Sequence, residues 1–214
     1  MASGGTPRSE RLRQAIPTTG SVPGRGFLGL GAAVGAMGWG VTAVLTVRPG
    51  VAGPLDPALL ATVAWVPLVA LMIGVGLLAT PDAVRFARPF GSWAPANGLA
   101  SVATVAALSG WLPPQTYWVA WALAGATGYL GTWLAVRRTG RDGRLWLAAA
   151  ACETAVLVGG VTVAGVWPVL LLGTAHVVPL TVAASGLQRR LGSGAPLVPV
   201  IATGLVLAVA MGGA

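Results

Sequence analysis

Leu59-Leu60-Ala61-Thr62-Val63-Ala64-Trp65-Val66-Pro67-Leu68 aligns without a gap on Leu171-Leu172-Gly173-Thr174-Ala175-His176-Val177-Val178-Pro179-Leu180. The match runs on to Gly74 and Gly186, and seven of the sixteen positions are identical, a mid-segment proline among them. Upstream, Gly40-Val41-Thr42 with an Arg48-Pro49 end corresponds to Gly160-Val161-Thr162 with a Trp167-Pro168 end. Downstream, Gly91-Ser92-Trp93-Ala94-Pro95 echoes Gly192-Ser193-Gly194-Ala195-Pro196. The pattern reads as an internal duplication, and it sets the expected architecture.

Composition sets the class. Apolar residues make up 55% of the 214 residues and charged ones 8%, where a soluble domain carries about 25%. Mean hydropathy is +0.79. Apolar runs of roughly 18 to 23 residues recur, enough to cross a ~30 Å hydrocarbon core as helix. They fall at 27–47, 58–80, 95–112, 115–136, 145–166, 168–187 and 195–213. The runs are continuous rather than alternating, which selects helices over the strands of a membrane barrel. The expected fold is an all-α integral membrane protein, a seven-transmembrane-helix bundle over residues 27–214.

The formal charge of +8 would suit a nucleic-acid binder, but its placement gives another reading. Arg8, Arg11, Arg13 and Arg25 precede the first span, Arg85 and Arg88 follow the second, Arg137, Arg138, Arg141 and Arg144 the fourth, and Arg189 and Arg190 the sixth. Those connections fall on one side and hold twelve of the thirteen basic residues; Arg48 lies opposite. Basic loops stay cytoplasmic on insertion, which predicts a cytoplasmic N-terminus and a C-terminus outside. A secondary reading is attraction of the arginine face to anionic lipid. Residues 1–26, rich in Ser, Gly, Pro and Arg, read as a disordered basic cytoplasmic tail, and the first span as an uncleaved anchor. Every basic residue is arginine, which fits a GC-rich genome; the expected location is a prokaryotic plasma membrane.

The matched pieces put spans one to three (27–112) in one copy and spans five to seven (145–213) in the other, with 115–136 as the linker. An odd linker leaves both copies in the same orientation, a parallel 3+1+3 repeat about an axis along the membrane normal. The layout is similar to that of sugar transporters of the SWEET class, a likeness of architecture alone. Retinal chemistry is excluded, since the chain has no lysine for a Schiff base.

Small residues four apart let membrane helices approach closely. Ala32, Ala36 and Gly40 form such a stripe, with Gly31 and Gly35 beside it; Ala124, Gly128 and Thr132 form another, and Ala151, Ala155 and Gly159 a third. Trp93, Trp111, Trp146 and Trp167 lie near the expected span ends, where interfacial tryptophans anchor.

Glu153 and His176 are the titratable side chains placed deep in the spans, about eight and about eleven residues from the arginine end, or ~12 Å and ~16 Å of helix rise. Intramembrane ionisable groups cost several kcal/mol unless paired or hydrated, which makes both functional candidates. On the alignment His176 stands where the first copy has Ala64, and Glu153 where it has Ala33. Their helices form a hairpin, so the pair is a candidate proton-handling site near neutral pH; packing of two satisfied polar groups is the other reading. Pro67 and Pro179 each remove a backbone hydrogen bond and kink a span, either as hinges or as shape. Thr62 and Thr174 are placed to serve the strained carbonyls, and Trp65 to wall a central cavity.

One histidine and one glutamate are too few for a metal site, lone Cys152 gives no disulfide, and no cofactor is expected. Catalytic motifs are lacking, so an enzyme is the less favoured class. The leading expectation is a small permease or channel with a midplane polar site at Glu153, His176, Thr174 and Trp65. The alternative is a non-catalytic membrane subunit or scaffold of a larger complex. Expected partners are the lipid bilayer and a membrane protein or second copy of the chain, not nucleic acid.

Overall fold

The structure, a computed structural model, describes residues 24–85, 87–113, 116–160 and 165–212. Among the described residues all regular structure is helical. The principal helices are α1 (Gly24–Val47), α2 (Pro57–Leu78), α3 (Arg88–Leu108), α4 (Thr116–Arg137), α5 (Arg144–Gly160), α6 (Trp167–Ser185) and α7 (Leu197–Gly212), joined in places by single helical turns.

Local chemistry fixes several ends. Asp56 caps α2, its carboxylate accepting from the Leu59 amide at 2.8 Å, and Pro57 takes the first position, where its missing N–H costs nothing. Pro168 takes the second position of α6, and Gly186 ends the helix in the left-handed conformation, φ 73°, which glycine adopts without steric cost. Four helices, α1, α2, α4 and α6, are long and apolar enough to cross a membrane. Leu187–Gly194 and Leu197–Met211, meeting at 79°, together make a fifth candidate as a broken span or re-entrant loop. The chain is thus compatible with a multi-pass membrane protein. Helix α5 has 17 described residues, about 26 Å of rise, and the end expected near 166 runs into residues 161–164, outside the described residues.

Several boundaries move, and the third helix, expected to run to 112, ends at Leu108. The helix expected from 95 begins at Arg88, with Pro89 in its first turn and Pro95 inside it. Gly24–Gly26, read as tail, belong to α1; the rest of the 1–26 segment lies outside the described residues. The sequence echo between Gly91–Pro95 and Gly192–Pro196 does not extend to structure. The first is helix, and the second opens on a 3-10 turn at Gly192, φ 52°.

Helix α1 packs against α2 and α6, α3 against α4, α4 against α5, and α6 against α5 and α7. The α1–α2 and α3–α4 pairs share one device. The Trp65 indole of α2 lies on Gly38 of α1, where an added Cβ would stand 2.3 Å from the ring. Its Nε1 donates to Thr42 Oγ1 at 3.2 Å, and that hydroxyl donates to the Gly38 carbonyl at 2.8 Å. Trp93 of α3 sits on Gly128 in the same way, donating to Thr132 at 3.1 Å, with Thr132 bonded to the Gly128 carbonyl. In the reverse direction Trp121 of α4 donates to Thr104 of α3 at 3.0 Å, and Thr104 to the Ala100 carbonyl. A small residue four before a threonine thus accepts an indole and satisfies its N–H in an apolar setting.

Single glycines, most of them outside the expected stripes, act as seats for side chains. Gly35 receives His176, Gly125 receives Glu153, Gly131 receives Ser92 and Gly173 receives Trp39. The Ala151/Ala155 face, expected to pack, is exposed, and α5 turns Cys152, Glu153 and Val156 inward instead.

Candidate functional site at Glu153 and His176

Glu153 comes from the inward face of α5 and is 1% exposed. Its carboxyl lies on Gly125 of α4, where an added Cβ would stand 2.6 Å from Cδ and Oε1. Glycine at 125 is therefore what lets the acid enter the bundle. His176 comes from α6, its ring against Gly35 of α1, with Cδ2 at 3.0 Å from the Cβ position. The two sequence-derived candidates meet: His176 Nδ1 is 4.0 Å from Glu153 Oε1. That is beyond hydrogen-bond length, so direct contact needs a small side-chain shift or a bridging water. The Glu153 side chain is 1% exposed and that of His176 26%, so one partner is sealed and the other reachable. Among the described residues Glu153 Oε2 is buried and meets no hydrogen-bond donor.

Two aromatics complete the cluster. Tyr129 of α4 is fully buried, and its hydroxyl donates to the His176 carbonyl at 2.8 Å. Pro179, three residues on, supplies no N–H to the Ala175 carbonyl, and the neighbouring His176 carbonyl takes its side-chain partner from another helix. Trp93 stands edge-on to His176 (5.9 Å, 82°) and to Tyr129 (4.9 Å, 89°), and Trp146 stacks on Tyr129 at 5.9 Å and 17°. Trp93 and Trp146, expected as interfacial anchors, are thus core residues of the site. For Trp93 the cause is the earlier start of α3, which places it in the second turn rather than before the helix. Trp111, by contrast, is 84% exposed.

Thr174 and Trp65 lie elsewhere. Thr174 borders a separate cavity of about 160 Å³ between α1 and α6, shared with Ala36, Trp39, Gly40 and Gly173. Trp65 adjoins it through Trp39 (5.4 Å, 73°) and stacks toward Trp121 at 6.4 Å. Thr62 and Thr174 do not serve the proline kinks: their hydroxyls donate to the Ala58 and Leu170 carbonyls, four residues back, the ordinary local bond of a helical threonine. Pro67 is exposed and Pro179 buried.

Sequence reasoning missed Tyr129, Gly125 and Trp93. Tyr129 carried a signal: a tyrosine amid an apolar helix needs a partner for its hydroxyl. Gly125 had none, because its role depends on which helix faces α4. No group of three or more His, Cys, Asp or Glu among the described residues could hold a metal ion. Compared with family models, curated proteins and solved structures, the chain matches none.

Proposed function

We propose that this chain is a small multi-pass permease or channel of seven spans, with its N-terminus cytoplasmic, that couples solute movement to a proton held between Glu153 and His176. One observation carries the reading: a fully buried carboxyl, one oxygen of which has no hydrogen-bond partner among the described residues, faces, at 4.0 Å, an imidazole that keeps a quarter of its side chain accessible. A buried acid next to an accessible base is a two-step path for a proton, and intramembrane ionisable groups in such pairs mark relays. Pro179, three residues after His176, whose carbonyl accepts from Tyr129 of α4, is the hinge of this proposal. Pro67 lies on the outer surface and shapes α2.

The test is flux in proteoliposomes across a pH gradient. Glu153→Gln keeps the size of the side chain and removes its titration; the variant folds and loses pH-driven flux by at least about tenfold, the scale of a lost proton-transfer group. Unchanged pH-dependent flux in a folded Glu153→Gln protein ends the proposal.

A second reading, a non-catalytic subunit of a larger membrane complex, is favoured by α2, of whose most apolar stretch 6% is buried. It is distinguished by native mass spectrometry of protein from its own host: a stoichiometric protein partner, with no flux by the chain alone, selects it.

A further inference from the structure

A second cavity, of about 500 Å³, lies at the arginine end, away from Glu153, where the α4–α5 connection meets the turn after α6. Arg141 and Asp142 come from the first of these, Gln188, Arg189 and Gly192 from the second, and Trp146 from the start of α5. The volume falls within the roughly 300–1,000 Å³ of small-ligand sites.

Its charge is decided by one local pairing. The Asp142 carboxylate accepts three contacts from the Arg144 guanidinium, Nε to both oxygens and Nη2 to Oδ2 at 2.8 Å, and the Arg144 amide at 3.0 Å. These hydrogen bonds hold its carboxyl at about 2, so the pair stays closed and neutral at physiological pH. Arg141 and Arg189 form no ion pair with the described residues and remain as two positive charges from separate connections. The Gln188 side chain reaches the Asp142 carbonyl at 3.5 Å and ties the two connections together. At the position of a Cβ on Gly192 nothing lies within 4 Å, which leaves the mouth open. Trp146, 8% exposed, lies below.

We propose that this cavity binds a phosphate group, clamped between Arg141 and Arg189, borne by an anionic phospholipid headgroup or free as inorganic phosphate. Arginine forks suit tetrahedral oxyanions bidentately, and basic pockets between membrane helices accept anionic headgroups. The site is independent of Glu153 and His176.

Full-length protein is reconstituted in mixed phosphatidylcholine and phosphatidylglycerol vesicles, extracted mildly, and its retained lipid weighed by native mass spectrometry. Delipidated protein is titrated with inorganic phosphate by calorimetry. Phosphatidylglycerol is retained in preference to phosphatidylcholine, and R141Q/R189Q lowers that retention roughly tenfold or more, two interfacial charges being removed. R138Q/R190Q, the same charge change outside the cavity, leaves it intact. Phosphate binding that disappears in R141Q/R189Q, without selective lipid retention, assigns the site to the free anion. Equal loss in both double variants, or neither lipid selectivity nor phosphate binding, overturns the proposal.

Discussion

Helices α2 and α6 carry the matched sequence yet occupy opposite environments. Over their most apolar stretches, 6% of α2 is buried and 56% of α6. At equivalent positions Leu59 is 48% exposed and Leu171 1%. Pro67 faces outward, whereas Pro179 is buried, and the His176 carbonyl three residues before it accepts from Tyr129. In a soluble protein such a difference would be written in polarity. In an apolar chain, a face turned to lipid and a face turned to other helices have the same composition, and packing partners alone distinguish them. Here α6 lies among α1, α5 and α7, and it sits close on α1 because Gly31, Gly35 and Gly173 admit Leu180, His176 and Trp39. Helix α2 packs mainly on α1, through Trp65.

The contrast breaks most visibly at those leucines. Leu171→Ala leaves a cavity in a packed cluster with Trp118, Val156 and Ala175 and is expected to destabilise by about 1–3 kcal/mol. That is the packing share of a core truncation, since lipid offsets most of the transfer contribution. Leu59→Ala, on the exposed face, stays within about 0.5 kcal/mol. Unfolding of each variant in detergent, titrated against SDS, measures the difference; equal losses would mean that α2 is buried to the same degree as α6.

What the sequence disclosed follows the same physics. Helix positions were legible because apolar runs and prolines punctuate them, as at Asp56-Pro57 and Trp167-Pro168. Glu153 and His176 were legible because an ionisable group in an apolar helix stands out whatever its neighbours are. Gly125 and Trp93 were not. Their roles depend on which helix faces which, and Gly125 resembles the many glycines that meet nothing. The start of α3 was misplaced because Pro95 reads as a helix opening, whereas Pro89 fills that role eight residues after Pro81. Nor does the sequence echo foretell a structural one: the Gly91–Pro95 segment lies in helix and the Gly192–Pro196 segment opens on a turn.

Gly74 and Gly186 close the aligned segments and sharpen the comparison through opposite signs. Gly74 is inside α2, with nothing within 4 Å of a Cβ, so Gly74→Ala gains roughly 0.5–1 kcal/mol of helix propensity. Gly186 sits at φ 73°, where a Cβ costs about 1–2 kcal/mol, and Gly186→Ala loses that amount. The same unfolding titration reads both. Two shifts of one sign would show that the two aligned glycines occupy equivalent positions after all.

The smallest expected effect tests the bridge that makes one kink differ from the other. Tyr129→Phe removes the hydroxyl from the His176 carbonyl while keeping the ring against Trp93 and Trp146. Interhelical hydrogen bonds within membrane proteins average about 0.6 kcal/mol, and the variant is expected to lose that much. If the carbonyl needs Tyr129 because Pro179 has opened the helix, Pro179→Ala restores a backbone N–H to α6 and closes the kink, and Tyr129→Phe then costs less in that background. The coupling is read from a double-mutant cycle of Tyr129→Phe and Pro179→Ala. Pro67→Ala serves as the control, since the outer face of α2 offers its kink no such partner. A cycle with Pro67→Ala that couples to Tyr129→Phe as strongly would place the two prolines in one cooperative unit and remove the distinction between the matched helices.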